Sequence, residues 1–129
     1  MQLNGTAVRT IAPHGGVLID RLRTHGAEAD ALRERAAAAP RVTLSDVSLS
    51  DLELIATGVI SPLTGFMTSE DYGSVVYEMH LSSGLPWTIP VVLPVDKDTA
   101  DRLTLNHDVA LVDAGGTMVG LLELTEKYE

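Results

Sequence analysis

Helix-forming patterns fill the first part of this chain and β-forming patterns the last, with no βαβ alternation between them. That order favours an α+β domain whose strands form an antiparallel or barrel-like sheet. From about Thr24 to Ala39 the alanines, Leu32, glutamates and arginines favour helix. Pro40 ends it, because the residue before a proline is pushed out of the α region. A short apolar run, Val17–Ile19, precedes this helix after the turn-prone Pro13-His14-Gly15-Gly16, and Arg41–Leu44 reads as a brief strand after it. Ser50 and Glu53 have the spacing of a capping box, with Leu49 and Leu54 at the staple positions. Gly58 then stands where a left-handed terminator belongs, so a helix is predicted at about Asp51–Thr57.

A further helix is predicted to begin after Thr68 or Ser69. Tyr72, Val75, Val76 and Met79 recur at i, i+3, i+4 and i+7, which makes one apolar stripe. Glu70 and Asp71 fall in its first turn and His80 in its last, each matching the helix dipole. Gly73 inside it implies either close packing or a tolerated cost of about 1 kcal/mol. Ile89–Val95 is β-branched and apolar, but Pro90 and Pro94 cannot donate to a ladder and belong at strand ends, edges or bulges. Asp96 can cap a short helical turn running to Leu103. Asp108–Val112 and Thr117–Leu124 read as strands joined by a hairpin loop, Asp113-Ala114-Gly115-Gly116.

The 129 residues, 45% apolar, suit a single domain over 1–129, since no Gly-, Ser- or Pro-rich linker and no repeat divides them. There is no cysteine, which excludes a disulfide scaffold, a thiol nucleophile and thiolate zinc sites. Nine basic residues against 18 acidic ones leave a net charge of −9, which argues against a general nucleic-acid binder. No apolar run approaches the roughly 20 residues a membrane span needs, and MQLNGTAVRT lacks the pattern of a secretory signal. A cytoplasmic protein is the expectation. Six arginines (Arg9, Arg21, Arg23, Arg33, Arg35, Arg41) give residues 1–41 a net charge of +2, whereas 42–129 carry −11. Such charge runs form solvated faces more often than anion sites, which would require the arginines to converge in space.

Motifs for chemistry are sparse. Ser61 has Val59 and Leu63 where a nucleophile elbow needs glycines, and Gly58 and Gly65 are too far apart for a P-loop, with no lysine following. His14 beside Gly15-Gly16 could present backbone N–H groups to an anion, although a plain turn is the simpler reading. The four histidines, His14, His25, His80 and His107, have no i, i+4 partner. An EF-hand registered on Asp96 and Asp98 would place Ala100, Asp101 and His107 at positions that need other residues. Glu70-Asp71 reads as a dipole partner rather than an acid–base pair, and Trp87 and Phe66 as core packing rather than a stacking platform. No residue is assigned as catalytic, cofactor-binding or metal-ligating. The last 88 residues offer only Lys97, Arg102 and Lys127 as cations, too few for adenylyl or phosphoryl transfer.

The stretch Ser48–Tyr72, SLSDLELIATGVISPLTGFMTSEDY, resembles the N-terminal domain of ATP sulfurylase (sulfate adenylyltransferase). The likeness extends through Ser74-Val75-Val76, Met79, Trp87-Thr88-Ile89-Pro90-Val91 and the terminal hairpin, and includes Pro13-His14-Gly15-Gly16 and Arg41–Leu44. It implies a PUA-like fold, a mixed β pseudo-barrel with packed helices. In that family ATP and sulfate form adenylyl sulfate and pyrophosphate. The chemistry belongs to a second domain marked by Gln-x-Arg-Asn-Pro-x-His-x-x-His, which is absent from these residues. His80 stands where the family commonly has arginine, and Thr88 where it commonly has proline. The implied role is an accessory domain, inactive alone and needing no cofactor, that partners an ATP sulfurylase catalytic domain in cis or in trans. Two alternatives are a free-standing PUA-like module for RNA or a protein partner, and a site built on the arginine-rich front around Arg21 and Arg23.

Overall fold

The central helix starts at Asp46, before the apparent capping box at Ser50. A computed structural model describes residues 10–129; Arg9 and the rest of the opening lie outside the described residues. Four helices are present there: α1 (Gly26–Ala38), α2 (Asp46–Thr57), α3 (Ser69–Glu78) and α4 (Lys97–Arg102). Three strands accompany them: β1 (Arg41–Thr43), β2 (His107–Val112) and β3 (Met118–Leu124). The sheet order is β1-β2-β3.

The late hairpin pairs antiparallel as expected, but β1 lies parallel to β2, with Arg41 opposite Ala110 and Thr43 opposite Val112. The sheet is therefore mixed, not purely antiparallel. A parallel neighbour needs a long crossover, and α2, α3 and α4 all lie in the connection between β1 and β2. Both faces of the central strand are covered. Val109 and Leu111 enter a core with Val42, Leu44, Leu103 and Leu124. Ala110 and Val112 point the other way by strand alternation, where α1 packs across β2 and β3. Buried Ala29 and Ala36 give α1 a small-residue contact face.

A second core joins Ile55, Leu63, Met67, Val75, Leu81 and Val91. Helix α2 links the two cores, with Leu49 and Leu52 packed on the first and Ile55 inside the second, while Phe66 touches both. Gly120 makes this possible on β3, because a Cβ there would stand 3.1 Å from Leu52 Cδ2. The strand pair also shifts register between Leu111 and Val112, next to that glycine.

Several expectations are corrected. The cap of α2 is Ser45, whose Oγ accepts from the Ser48 amide at 3.1 Å, and so Ser50 lies inside the helix. The C-terminus is as predicted, with Gly58 left-handed at φ 79°. In α3 Thr68 is the cap, but the helix stops at Glu78 with Met79 left-handed, so His80 lies beyond the last turn and bridges to Pro86. Of the predicted stripe only Val75 is buried. Gly73 has nothing near its absent Cβ and is simply tolerated. The Ile89–Val95 run forms no ladder, although its Val91 carbonyl accepts from the Met67 amide at 2.8 Å. Two prolines interrupt its donors.

Candidate functional site

Among the described residues, Arg23, Arg33 and Arg35 of the front are each engaged with their own partners. Arg23 Nε meets Glu28 at 2.9 Å, while its Nη1 donates to the Asp20 and Leu22 carbonyls. Arg33 pairs with Asp30 at 2.8 Å and donates to the Thr24 carbonyl. Arg35 forks onto Asp108 at 2.9 and 2.7 Å and reaches Glu123 at 2.8 Å, tying α1 to the hairpin. Its guanidinium holds the Asp108 carboxyl below the usual carboxylate range, and the two carboxylates raise Arg35 in return. Arg21 serves through its backbone, whose amide donates to the Ala56 carbonyl at 3.0 Å.

Several acids are similarly engaged. Asp96 accepts from the Thr99 amide at 2.7 Å as the cap of α4, which holds its carboxyl below the ordinary value. Asp101 pairs with Lys97, and Asp71 accepts from both the amide and the hydroxyl of Ser82. Among the described residues no group of three His, Asp or Glu side chains is placed to hold a metal ion.

Pro13–Gly16 forms a turn in which the Gly16 amide donates to the Pro13 carbonyl at 2.8 Å, so that amide is not offered to an anion. His14 Nε2 donates to the Pro86 carbonyl at 2.7 Å beside the Trp87 ring. From there residues 15–21 form a strap over the end of α2. The Ile19 amide donates to Ser61 Oγ at 3.0 Å, and that buried hydroxyl donates to the Gly58 carbonyl at 2.6 Å. Sequence reading missed this role of Ser61, since nothing local marks a serine as the anchor for a segment 42 residues away. Beside the strap lies a shallow depression of about 470 Å³ lined by Gly15, Pro62 and Ser83–Pro86. Its lining brings no cation and no base to Ser83.

The tail makes a second set of ties that local sequence did not reveal. Glu126 accepts from the Ser69 amide at 3.1 Å and from its hydroxyl at the start of α3. Lys127 Nζ donates to the Ala100 and Leu103 carbonyls at 3.0 Å, satisfying the end of α4. The Tyr128 hydroxyl donates to the Met67 carbonyl at 2.8 Å, and its ring lies 5.8 Å from that of Tyr72. Partial burial raises the Tyr128 phenol above its ordinary value. Exposed apolar side chains include Val17, Leu18, Val59, Val76, Met79 and Ile89.

Residues 11–129 match the family model described as a PUA-like domain. A sulfate adenylyltransferase of Acaryochloris marina is 52% identical over 118 residues, which cover 92% of this chain and 30% of that protein. One of a Synechococcus strain is 47% identical over 128 residues, 99% of this chain and 32% of that protein. The chain thus spans less than a third of these curated relatives. Among solved structures, a chain titled hexameric APS kinase from Thiobacillus denitrificans superposes with a TM-score of 0.82 at 32% identity, covering 94% of this chain and 24% of that one. Among the described residues no helix is long and apolar enough to cross a membrane. With a mixed three-stranded sheet, four helices and a family match over nearly its whole length, the chain belongs to the PUA-like domain family, as an N-terminal-type domain similar to part of proteins named sulfate adenylyltransferase.

Proposed function

We propose that these residues form one non-catalytic accessory domain that supports a sulfate adenylyltransferase catalytic domain, in cis or in trans. The observation that carries this reading is the mismatch in coverage: 92% of this chain matches only 30% of the Acaryochloris marina enzyme. The engagement of Arg23, Arg33 and Arg35 in ion pairs within the domain supports it, because nucleotide activation requires cations converging on phosphate. So does the likeness to a chain titled as an APS kinase, of which this chain covers only 24%. The parent reaction would convert ATP and sulfate into adenylyl sulfate and pyrophosphate.

Two measurements of pyrophosphate release test the proposal. The isolated chain, given ATP and sulfate, releases none. A chimera in which this chain replaces the matched part of the Acaryochloris marina enzyme turns over. Sulfate-dependent release by the isolated chain, or a folded chimera without activity, rejects the accessory role.

A further inference from the structure

Helix α1 offers the sheet very little apolar surface. Of its 13 residues only Ala29 and Ala36 are buried, and Leu32 is half-buried. The helix packs across β2 and β3 on these small side chains. Two methyl groups displace far less water than the leucines and valines that hold the two cores. The N-cap, His25, adds no side-chain hydrogen bond to the first turn. A helix of this length is marginal in water, so α1 keeps its form only while it is docked.

One polar side chain reinforces the docking. Arg35 forks onto Asp108 of β2 and reaches Glu123 of β3, and those two acids face each other across the strand pair. A bidentate, charge-assisted contact of this kind is strong and directional. It also lies open to solvent, with side-chain exposures of 43% for Arg35, 27% for Asp108 and 73% for Glu123. A groove of about 280 Å³ lined by Arg35, Asn106, His107, Asp108 and Glu123 opens beside it and admits salt ions. Each end of the helix has a pivot. Gly26 is left-handed at φ 87° with nothing within 4 Å of its absent Cβ, and Ala39 is extended before Pro40. The Arg33–Asp30 pair lies inside α1, and the Arg23–Glu28 pair joins its first turn to the segment just before it, so neither resists departure from the sheet.

We propose that α1 is a salt-sensitive latch, which leaves the β2–β3 face as a unit when Arg35 releases Asp108 and Glu123, and so uncovers Ala110 while both cores remain intact.

Native-state amide exchange on the folded chain tests this. At pH 7 and low salt, amides in the second half of α1 should exchange at least about tenfold faster than those of Val109–Leu111, relative to their intrinsic rates. Their rates should also depend less on sub-denaturing urea, because a local opening exposes less surface than global unfolding. Arg35→Gln should speed α1 exchange by about threefold to tenfold. Lys97→Gln removes an equal charge from the Lys97–Asp101 pair of α4 and should leave α1 unchanged. In 1 M sodium chloride, where the screening length is about 3 Å, the gap between Arg35→Gln and wild type should narrow to within about twofold. Circular dichroism confirms that both variants fold. Exchange of α1 at the rate of Val109–Leu111, with the same urea dependence, overturns the proposal, because the helix then leaves only when the whole domain unfolds. Wild-type α1 exchange in Arg35→Gln overturns it too, as does an excess that salt does not diminish.

Discussion

Replacing Gly58 by alanine is the sharpest probe of how the strap is held. The backbone there is left-handed at φ 79°, and an added Cβ would land inside contact distance of the Ile19 carbonyl oxygen and 2.8 Å from Leu18 Cδ1. A left-handed alanine costs about 1–2 kcal/mol by itself. The clash is with backbone, so the strap must lift, which strains the Ile19–Ser61 and Arg21–Ala56 hydrogen bonds. Each contributes about 1 kcal/mol. The expected destabilisation of Gly58→Ala is therefore about 3–4 kcal/mol, read as a fall of roughly 1.5–2 M in the urea midpoint for a slope near 2 kcal/mol/M. Gly84→Ala supplies the control. Its φ is 90°, but nothing lies within 4 Å of the added atom, so only the conformational cost of about 1–2 kcal/mol applies. Limited proteolysis should cut the Gly58→Ala strap between residues 15 and 23 well before the control is cut. Equal midpoints for the two variants would refute the claim that close approach, rather than dihedral preference, demands glycine at position 58.

Three further outcomes are expected. Ser45→Ala should cost about 1 kcal/mol in chemical unfolding, and Ser50→Ala less than about 0.5 kcal/mol; the reverse order would restore the capping box. Leu111→Ala, at a residue 1% exposed, should cost about 2–5 kcal/mol, whereas Val59→Ala at an exposed site stays within about 0.5 kcal/mol. For Arg35→Gln, the sign follows from Asp108, whose folded value lies below its unfolded one. The stabilisation is complete above a pH of about 4 and is lost as the pH falls through the lower folded value. Melting temperatures followed from pH 7 to 2 should therefore show a deficit in the variant at neutral pH that closes on acidification. A gap independent of pH would remove the ion pair as its cause.

Legibility followed the range of the interactions involved. The α4 cap at Asp96, the stop at Gly58 and the Asp113–Gly116 loop were readable because each depends on groups within four residues of one another. The start of α2 misled: Ser45 and Ser50 both precede helix-forming residues, and the hydrogen bond from the Ser48 amide to Ser45 Oγ marks Ser45 as the cap. The α3 stripe was visible as a period, yet its burial was not, since a period reports a shared face and not what covers it.

By itself the sequence determined the α+β class, the hairpin and most helix ends, because dihedral preference and capping are local chemistry. It also determined the acidity and the lack of cysteine, which composition alone sets. Tertiary structure decided that β1 lies parallel to β2, that Ser61 anchors a strap, that the tail closes α3 and α4, and that Arg35 binds the sheet rather than an anion. Each of those contacts joins residues distant along the chain, and only the folded path of the backbone brings them within hydrogen-bonding reach.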